Sequence, residues 1–215
     1  MATTTESTTR ESPVGSFVGV VARRQTYRNL LYLAVAFPLG VAYFVVLVAG
    51  FSLGVGLAVT LLGIPILLAT VWLVRALSFV ERRLATTLLG VEIPDPEPAV
   101  SEGLWDRVVA LLTSPVTWLG LVFLLGKFAL GTATFVILAM LGALTVAFVT
   151  APLYYDLPNA GVDVGVWQVT TLPEALVLSV FGVVFLFVSL HAVNGVAWGW
   201  GRVAAFLLDG SRESF

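Results

Sequence analysis

The pattern of polar and apolar residues begins with a long stretch that carries no charge. Residues 29–74 form 46 consecutive positions without an acid or a base. One membrane-spanning helix needs about 20 apolar residues, so this stretch predicts two spans. The segment 50–56 holds three glycines near the middle of the stretch and predicts the turn between the spans. We therefore expect a membrane hairpin formed by residues 29–49 and 53–74.

The second half of the chain repeats this pattern. Residues 108–155 are 48 positions with one charge, Lys127, and residues 175–201 are 27 positions without Asp, Glu, Lys or Arg. The first stretch predicts a third span that starts near Pro115, and the second predicts a fourth span at 174–199. Two alternatives remain open for residues 141–155. They form either the end of one long helix or a re-entrant half-helix that starts at Gly142.

The segments between the spans are polar or rich in proline. Gly90 predicts the end of a helix, and prolines at alternate positions within 91–103 predict an extended, acidic linker. Residues 104–112 predict a short helix at the membrane interface. The predicted domains are a disordered cytoplasmic tail at 1–15, a first membrane hairpin with flanking interfacial helices at 16–90, the linker 91–103, a second membrane hairpin at 104–210 with an external loop at 156–174, and a tail at 211–215.

Composition and charge agree with an all-α, polytopic membrane protein that has four transmembrane helices. The chain is 59% hydrophobic and 11% charged, with a mean hydropathy of +1.00. All ten arginines lie on the predicted inner side of the spans, while the external loop holds only acids. The positive-inside rule then places both termini in the cytoplasm. A net charge of −2 gives no indication of nucleic-acid binding, and the absence of cysteine excludes disulfides and thiol chemistry.

Two ionisable residues within the predicted spans are the candidates for ligand binding or coupling. Lys127 and His191 lie at similar predicted depths, and Asn194 lies one helical turn from His191. No acid falls within a predicted span, so we expect Lys127 to have no carboxylate partner in the bilayer and to lie near His191. The alternative is that Lys127 extends to the inner headgroups while His191 bonds a neighbouring carbonyl.

The remaining candidates concern packing and the membrane surface. Gly195 and Gly199 have the small-xxx-small spacing that permits close helix contact, either in a homodimer or within the monomer. The bases Arg75, Arg82, Arg83 and Arg107 either bind anionic lipid headgroups or serve only to fix the topology.

An internal repeat relates the two halves of the chain. Phe37-Pro38-Leu39-Gly40 matches Phe128-Ala129-Leu130-Gly131, which lies 91 positions later, and Phe44-Val45 matches Phe135-Val136 in the same register. The shared order of these matches predicts a duplicated two-helix unit. We expect the two halves to superpose, with both motifs at one depth and on helices of the same direction.

Several segments also resemble a known family. The residues that carry the resemblance are Tyr27-Arg28-Asn29-Leu30-Leu31-Tyr32-Leu33, Phe37-Pro38-Leu39-Gly40, Gly63-Ile64-Pro65 and Glu81-Arg82-Arg83. They are similar to the "Putative sensor" domain, a four-helix membrane module found in actinobacterial and haloarchaeal sensor histidine kinases and alone. The resemblance implies no catalytic residue. Because no phosphoacceptor helix or ATP-binding domain follows Gly210, we expect a stand-alone module.

The sequence thus predicts a prokaryotic, multi-pass plasma-membrane protein that relays a membrane or envelope signal to a cytoplasmic partner such as a kinase. Motifs for nucleophilic, phosphate or metal chemistry are absent, so we expect neither enzyme activity nor a cofactor or metal. The alternatives are a small transporter or channel subunit, in which Lys127 and His191 line a path, and a scaffold subunit of a membrane complex.

Overall fold

The computed structural model describes residues 17, 19–96, 103–157, 162–164 and 167–213. The predicted tail at 1–15 lies outside the described residues, as do 97–102 of the linker and parts of the external loop and the last tail. The helices are α1 (Arg24–Gly56), α2 (Gly63–Leu84), α3 (Leu104–Thr113), α4 (Pro115–Thr150) and α5 (Leu172–Leu207). Within the described residues, four helices are long and apolar enough to cross a membrane, namely all but α3. The all-α class is confirmed.

The turn of the first hairpin lies later than the sequence suggested. Helix α1 continues through Gly56, and the chain reverses in a 3₁₀ turn at Ala58–Thr60. Gly50 and Gly54 instead make room between α1 and α2, since a Cβ on Gly50 would lie 2.6 Å from the Thr70 hydroxyl oxygen. Our assignment of these glycines to the turn was wrong because a glycine that permits close helix packing has the same sequence signature as a turn glycine.

Other helix ends fall where the sequence placed them. The α2 helix extends through a π-helical turn at Ala85–Leu89 and ends at Gly90, whose φ of 69° lies in the left-handed region that glycine favours. Helix α3 matches the predicted interfacial helix to within a residue. Helix α4 is continuous to Thr150, which favours the long helix over a re-entrant one, and a two-stranded hairpin of β1 (Val162–Val164) and β2 (Trp167–Val169) follows it.

The larger of two compact units comprises Tyr27–Leu141 and Val193–Phe215. Its core holds buried side chains from α1, α2, α4 and α5, and α1 and α4 approach each other closely. A Cβ on Gly40 would lie 2.6 Å from the Lys127 carbonyl oxygen, and a Cβ on Gly131 would lie 2.8 Å from the Ala36 carbonyl oxygen. The two helix backbones therefore touch, and glycine is needed at both points of contact.

The two repeated motifs form this contact with each other. Adding 91 to Ala36 and Gly40 gives Lys127 and Gly131, so the repeat register exchanges the two glycine contacts. The same shift exchanges two stacked pairs, Phe37 with Phe135 and Phe44 with Phe128, whose ring centroids lie 4.9 and 4.7 Å apart. Any two antiparallel helices in contact exchange residues in this way, so the exchange does not by itself support a repeat.

The direction of the helices differs from our expectation. Residue numbers rise along α1 as they fall along α4, so the two helices pass each other in opposite directions. By contrast, α2 and α4 run in the same direction, because Arg75 bonds Thr117 and Glu81 bonds Lys127. Our expectation that both motifs lie on helices of the same direction was wrong, which indicates that the motif matches are accidental, and the duplicated two-helix hairpin is not confirmed. The predicted topology starts α1 and α4 on the same side of the membrane, so the opposite directions of these two helices disagree with it.

The smaller unit comprises Met1–Thr26 and Gly142–Ala192. Its core is formed by Ala151, Val169, Ala175 and Leu178, with Phe148 and two tyrosines packed around them. Glu174 accepts hydrogen bonds from the backbone amides of Thr170 and Thr171 at 3.0 and 3.1 Å, and so caps the start of α5.

Candidate functional site

A buried ion pair lies at the centre of the larger unit. The Lys127 ammonium on α4 lies 2.5 Å from Oε2 of Glu81 on α2. Both side chains are completely buried, with an exposed fraction of 0%. Burying two charges is costly unless they pair and their other hydrogen-bonding positions are filled. The pair therefore fixes α2 against α4, because separating the two helices would leave both charges buried and unpaired.

Two tyrosines from α1 flank the ion pair. The Tyr43 hydroxyl donates a hydrogen bond of 2.8 Å to Oε1 of Glu81, so the carboxylate binds two different helices. The Tyr32 ring lies under Lys127, with its centroid 4.7 Å from Nζ. The Tyr32 hydroxyl is buried and has no hydrogen-bond partner among the described residues. We name these four residues, together with Trp200 of α5, the charge cluster.

Aromatic rings complete the surroundings of the ammonium. The ring of Trp200 on α5 lies 5.7 Å from Lys127 Nζ, and that of Phe123 lies 5.9 Å away. Aromatic faces attract cations, and the attraction is stronger where water is excluded. The Trp200 indole also donates a hydrogen bond of 2.9 Å to the Thr134 hydroxyl. The charge cluster thus connects all four long helices.

The expectation that Lys127 has no carboxylate partner was wrong. Glu81 lies seven residues beyond the predicted end of the second span at residue 74, so it was not considered as a partner. The structure places Glu81 on the buried face of α2, in line with Val74, Ser78 and Ala85. That 74-78-81-85 spacing is the stripe of an inward-facing helix and was the available signal. A buried lysine is also stabilised more by an anionic partner than by a histidine, because only the anion compensates its charge.

The neighbour of Glu81 contacts the end of the chain. Arg82 is buried, and its Nε donates a hydrogen bond of 3.0 Å to the backbone carbonyl of Leu208, just after α5. Its guanidinium also lies 3.8 Å from Asp95 in the linker, and Arg83 lies 3.3 Å from the same carboxylate. The Gly210 amide in turn donates to the Pro94 carbonyl. We name residues 208–213, which follow α5, the C-terminal segment. Adjacent residues of α2 therefore contact the charge cluster on one side and the C-terminal segment on the other.

The other predicted site residues lie elsewhere. Asn194 accepts a hydrogen bond of 2.9 Å from the side-chain amide of Asn29, which joins α5 to α1. His191 is exposed, its Nδ1 lies 2.8 Å from the Phe187 carbonyl, and its ring stacks on Phe17 at 4.8 Å. A carbonyl bond for His191 was one of our alternatives. His191 and Lys127 belong to different compact units, so their shared layer stays a prediction.

Gly195 and Gly199 do not pack against the described part of the chain. A Cβ built on either glycine would meet no atom within 4 Å, apart from the backbone of its own helix. The close approaches within the larger unit use Gly40, Gly131 and Gly120 instead. Of the two alternatives for the small-xxx-small motif, a homodimer contact therefore remains a prediction.

The comparisons with known proteins agree with these observations. No curated protein and no solved structure matches the chain. A family model described as "Putative sensor" matches residues 32–208, which is most of the chain and covers the charge cluster and Arg82. The chain belongs to the "Putative sensor" family, with four helices able to span a membrane.

Proposed function

We propose that this protein is a sensor module of the plasma membrane that relays a change in the membrane to a cytoplasmic partner such as a kinase. The observation that carries the proposal is the adjacency of Glu81 and Arg82 on α2. Glu81 binds Tyr43 and Lys127, while Arg82 binds the Leu208 carbonyl next to the C-terminal segment.

The relay works through these two neighbouring side chains. A shift of α4 relative to α2 strains the bond between Glu81 and Lys127, because separating two buried charges costs several kcal/mol. Rotation of α2 that preserves this pair moves Arg82, which is one residue further along the same helix. Since Arg82 binds the Leu208 carbonyl, such a rotation displaces the C-terminal segment.

Burial of the ion pair favours signalling over transport. A transport path along Lys127 would need water or solute to reach its ammonium, but the side chains of Lys127 and Glu81 are both 0% exposed. A sealed cluster suits a switch with two discrete packing arrangements, because packed cores do not deform continuously.

The proposal is tested by giving the chain a measurable output. The catalytic region of a histidine kinase is fused after Phe215 at three junctions that differ by one residue, so that the helical phase is sampled. The chimeras are reconstituted in bilayers of increasing acyl-chain length, and autophosphorylation is measured. We expect the rate to change with bilayer thickness in at least one chimera.

Matched variants separate the relay from an effect of the bilayer on the kinase. Arg82→Gln removes the bond to Leu208 and should abolish the response to thickness. Arg83→Gln makes the same change of charge at an exposed neighbour and should keep it. A rate that is independent of thickness in all three chimeras, or a response that survives Arg82→Gln, would contradict the relay.

A further inference from the structure

A pocket of about 370 Å³ lies beside α2, and the Glu81 side chain does not line it. One face of α2 supplies Arg75, Ser78, Phe79 and Arg82, at the i, i+3, i+4, i+7 spacing that aligns side chains along one face of a helix. The opposite wall is formed by Val116 near the start of α4 and by Asp95 and Pro96 of the linker. This volume lies within the range of small-molecule sites in proteins.

The pocket combines positive charge with apolar walls. Two guanidinium groups and one carboxylate line it, so its charged side chains sum to +1, and Phe79, Pro96 and Val116 supply apolar surface. Arg75 is held in place by a hydrogen bond of 3.0 Å from its Nε to the Thr117 hydroxyl. Guanidinium groups bind phosphate and carboxylate oxygens with good geometry. An anionic group joined to an apolar chain matches both features.

An unpartnered hydroxyl provides a second, independent indication of a ligand. Ser78 lines the pocket and is 3% exposed; its Oγ lies against Gly120 of α4 and has no hydrogen-bond partner within the described residues, so it would reach a ligand only after a change of rotamer. Leaving a buried hydroxyl without a bond is costly, so native proteins generally provide it with a partner or a ligand. Its helix face also carries Arg75 and Arg82, which would bring three donors to one bound anion.

We infer that this pocket binds the anionic headgroup of a membrane amphiphile, with phosphate or carboxylate oxygens at Arg75, Ser78 and Arg82 and the apolar chain along Phe79 and Val116. The headgroup competes with Asp95 for Arg82, whose guanidinium lies 3.8 Å from that carboxylate. Binding therefore loosens the linker from α2. The site does not depend on the relay proposed above, because binding is measured here without any signalling output.

The test uses the full chain, purified in detergent and freed of lipid. The probes are phosphatidylglycerol as the anionic lipid, phosphatidylcholine as the zwitterionic lipid, and inorganic phosphate as the free anion. Native mass spectrometry gives stoichiometry and affinity, and thermal unfolding gives the ligand-induced shift in Tm. We expect one phosphatidylglycerol to bind per chain at lower concentration than either other probe.

Three variants localise the site. Arg75→Gln should weaken phosphatidylglycerol binding by about tenfold, because it removes one charged hydrogen-bond donor. Arg107→Gln makes the same charge change on an exposed residue of α3 that does not line the pocket, and it should leave the affinity unchanged. Ser78→Ala should raise the Tm of the lipid-free protein while reducing the lipid-induced shift. The opposite signs distinguish a ligand-binding hydroxyl from a merely structural one.

Three outcomes would overturn the inference. If Arg107→Gln weakens binding as much as Arg75→Gln, the lipid responds only to general surface charge. If inorganic phosphate raises the Tm as much as phosphatidylglycerol does, the apolar part plays no role and the ligand is not an amphiphile. If Ser78→Ala and Arg75→Gln both keep the wild-type affinity and Tm shift, the lipid binds elsewhere.

Discussion

Removal of the Lys127 charge should strongly destabilise the protein, although an apolar side chain would otherwise suit a membrane bundle better. Lys127→Met leaves the Glu81 carboxylate buried without its cation and with a hydrogen bond from the Tyr43 hydroxyl. Removing one partner of a buried ion pair costs about 3–5 kcal/mol, since an uncompensated charge remains. Without the Glu81 partner, which the sequence did not predict, the same substitution would be tolerated.

The geometry supports a cost of this size. Two unit charges 2.5 Å apart attract each other by roughly 7 kcal/mol at an effective dielectric constant of 20. Desolvation of each ion opposes this attraction by several kcal/mol. The net value of the intact pair is therefore small, whereas the loss of one partner forfeits the attraction and keeps the desolvation cost of the other. The double variant Glu81→Gln/Lys127→Met removes both charges and retains an acceptor for Tyr43.

The assay is a double-mutant cycle on unfolding in mixed micelles. We expect each single variant, Lys127→Met or Glu81→Gln, to lower the free energy of unfolding by about 3–5 kcal/mol, and the double variant to return within about 2 kcal/mol of wild type. Arg107→Met, on an exposed residue, is the control and should change stability by no more than about 0.5 kcal/mol. Additive losses in the double variant would refute the pairing of Lys127 with Glu81.

The other predictions concern the two tyrosines, the helix contact and the topology. Tyr43→Phe should lower the free energy of unfolding by about 1.5–3 kcal/mol, because the Tyr43 hydroxyl bonds a charged carboxylate. Tyr32→Phe should be neutral or stabilising, because the Tyr32 hydroxyl is buried without a partner among the described residues. Thermal unfolding of both variants tests this. Gly40→Ala should cost about 1–3 kcal/mol in the same assay, since its Cβ would meet the α4 backbone, while Gly195→Ala should not destabilise. The positive-inside rule predicts that an impermeant thiol reagent labels a single cysteine in the external loop of intact cells and leaves one in the linker unlabelled. Labelling in the linker would contradict this topology and would agree with the opposite directions of α1 and α4.

Much of the architecture could be predicted from the lengths of the apolar stretches and the positions of glycine and proline. Long stretches with no charge or one charge predicted the four long apolar helices, because apolar helices of that length are stable only in a bilayer or a large core. The helix end at Gly90 followed from local backbone preference. The turn of the first hairpin could not be placed in this way. Gly50 and Gly54 serve contact with α2, and that role depends on a neighbour that is distant in sequence.

Only one of the two charged residues in the charge cluster was a candidate in the sequence. Lys127 stood out because a charge within an apolar stretch is rare. Glu81 did not, since the arginines after it resembled a cytoplasmic flank. Pairing is a tertiary property, and two residues separated by 46 in sequence give no local signal for it. The predicted repeat is not confirmed, because short apolar motifs match easily by chance and the two motifs lie on helices of opposite direction.

The central claim is that the charge cluster couples the membrane helices to the C-terminal segment, and one measurement on the purified protein tests it directly. The chain has no cysteine, so Ser211→Cys can carry a single nitroxide label next to the segment that Arg82 binds. Its mobility is recorded by electron paramagnetic resonance in bilayers of increasing acyl-chain length. We predict that the label's mobility changes with thickness in the wild-type background and is constant in Glu81→Gln/Lys127→Met. An identical change in both backgrounds, or no change in the wild type, would contradict the claim.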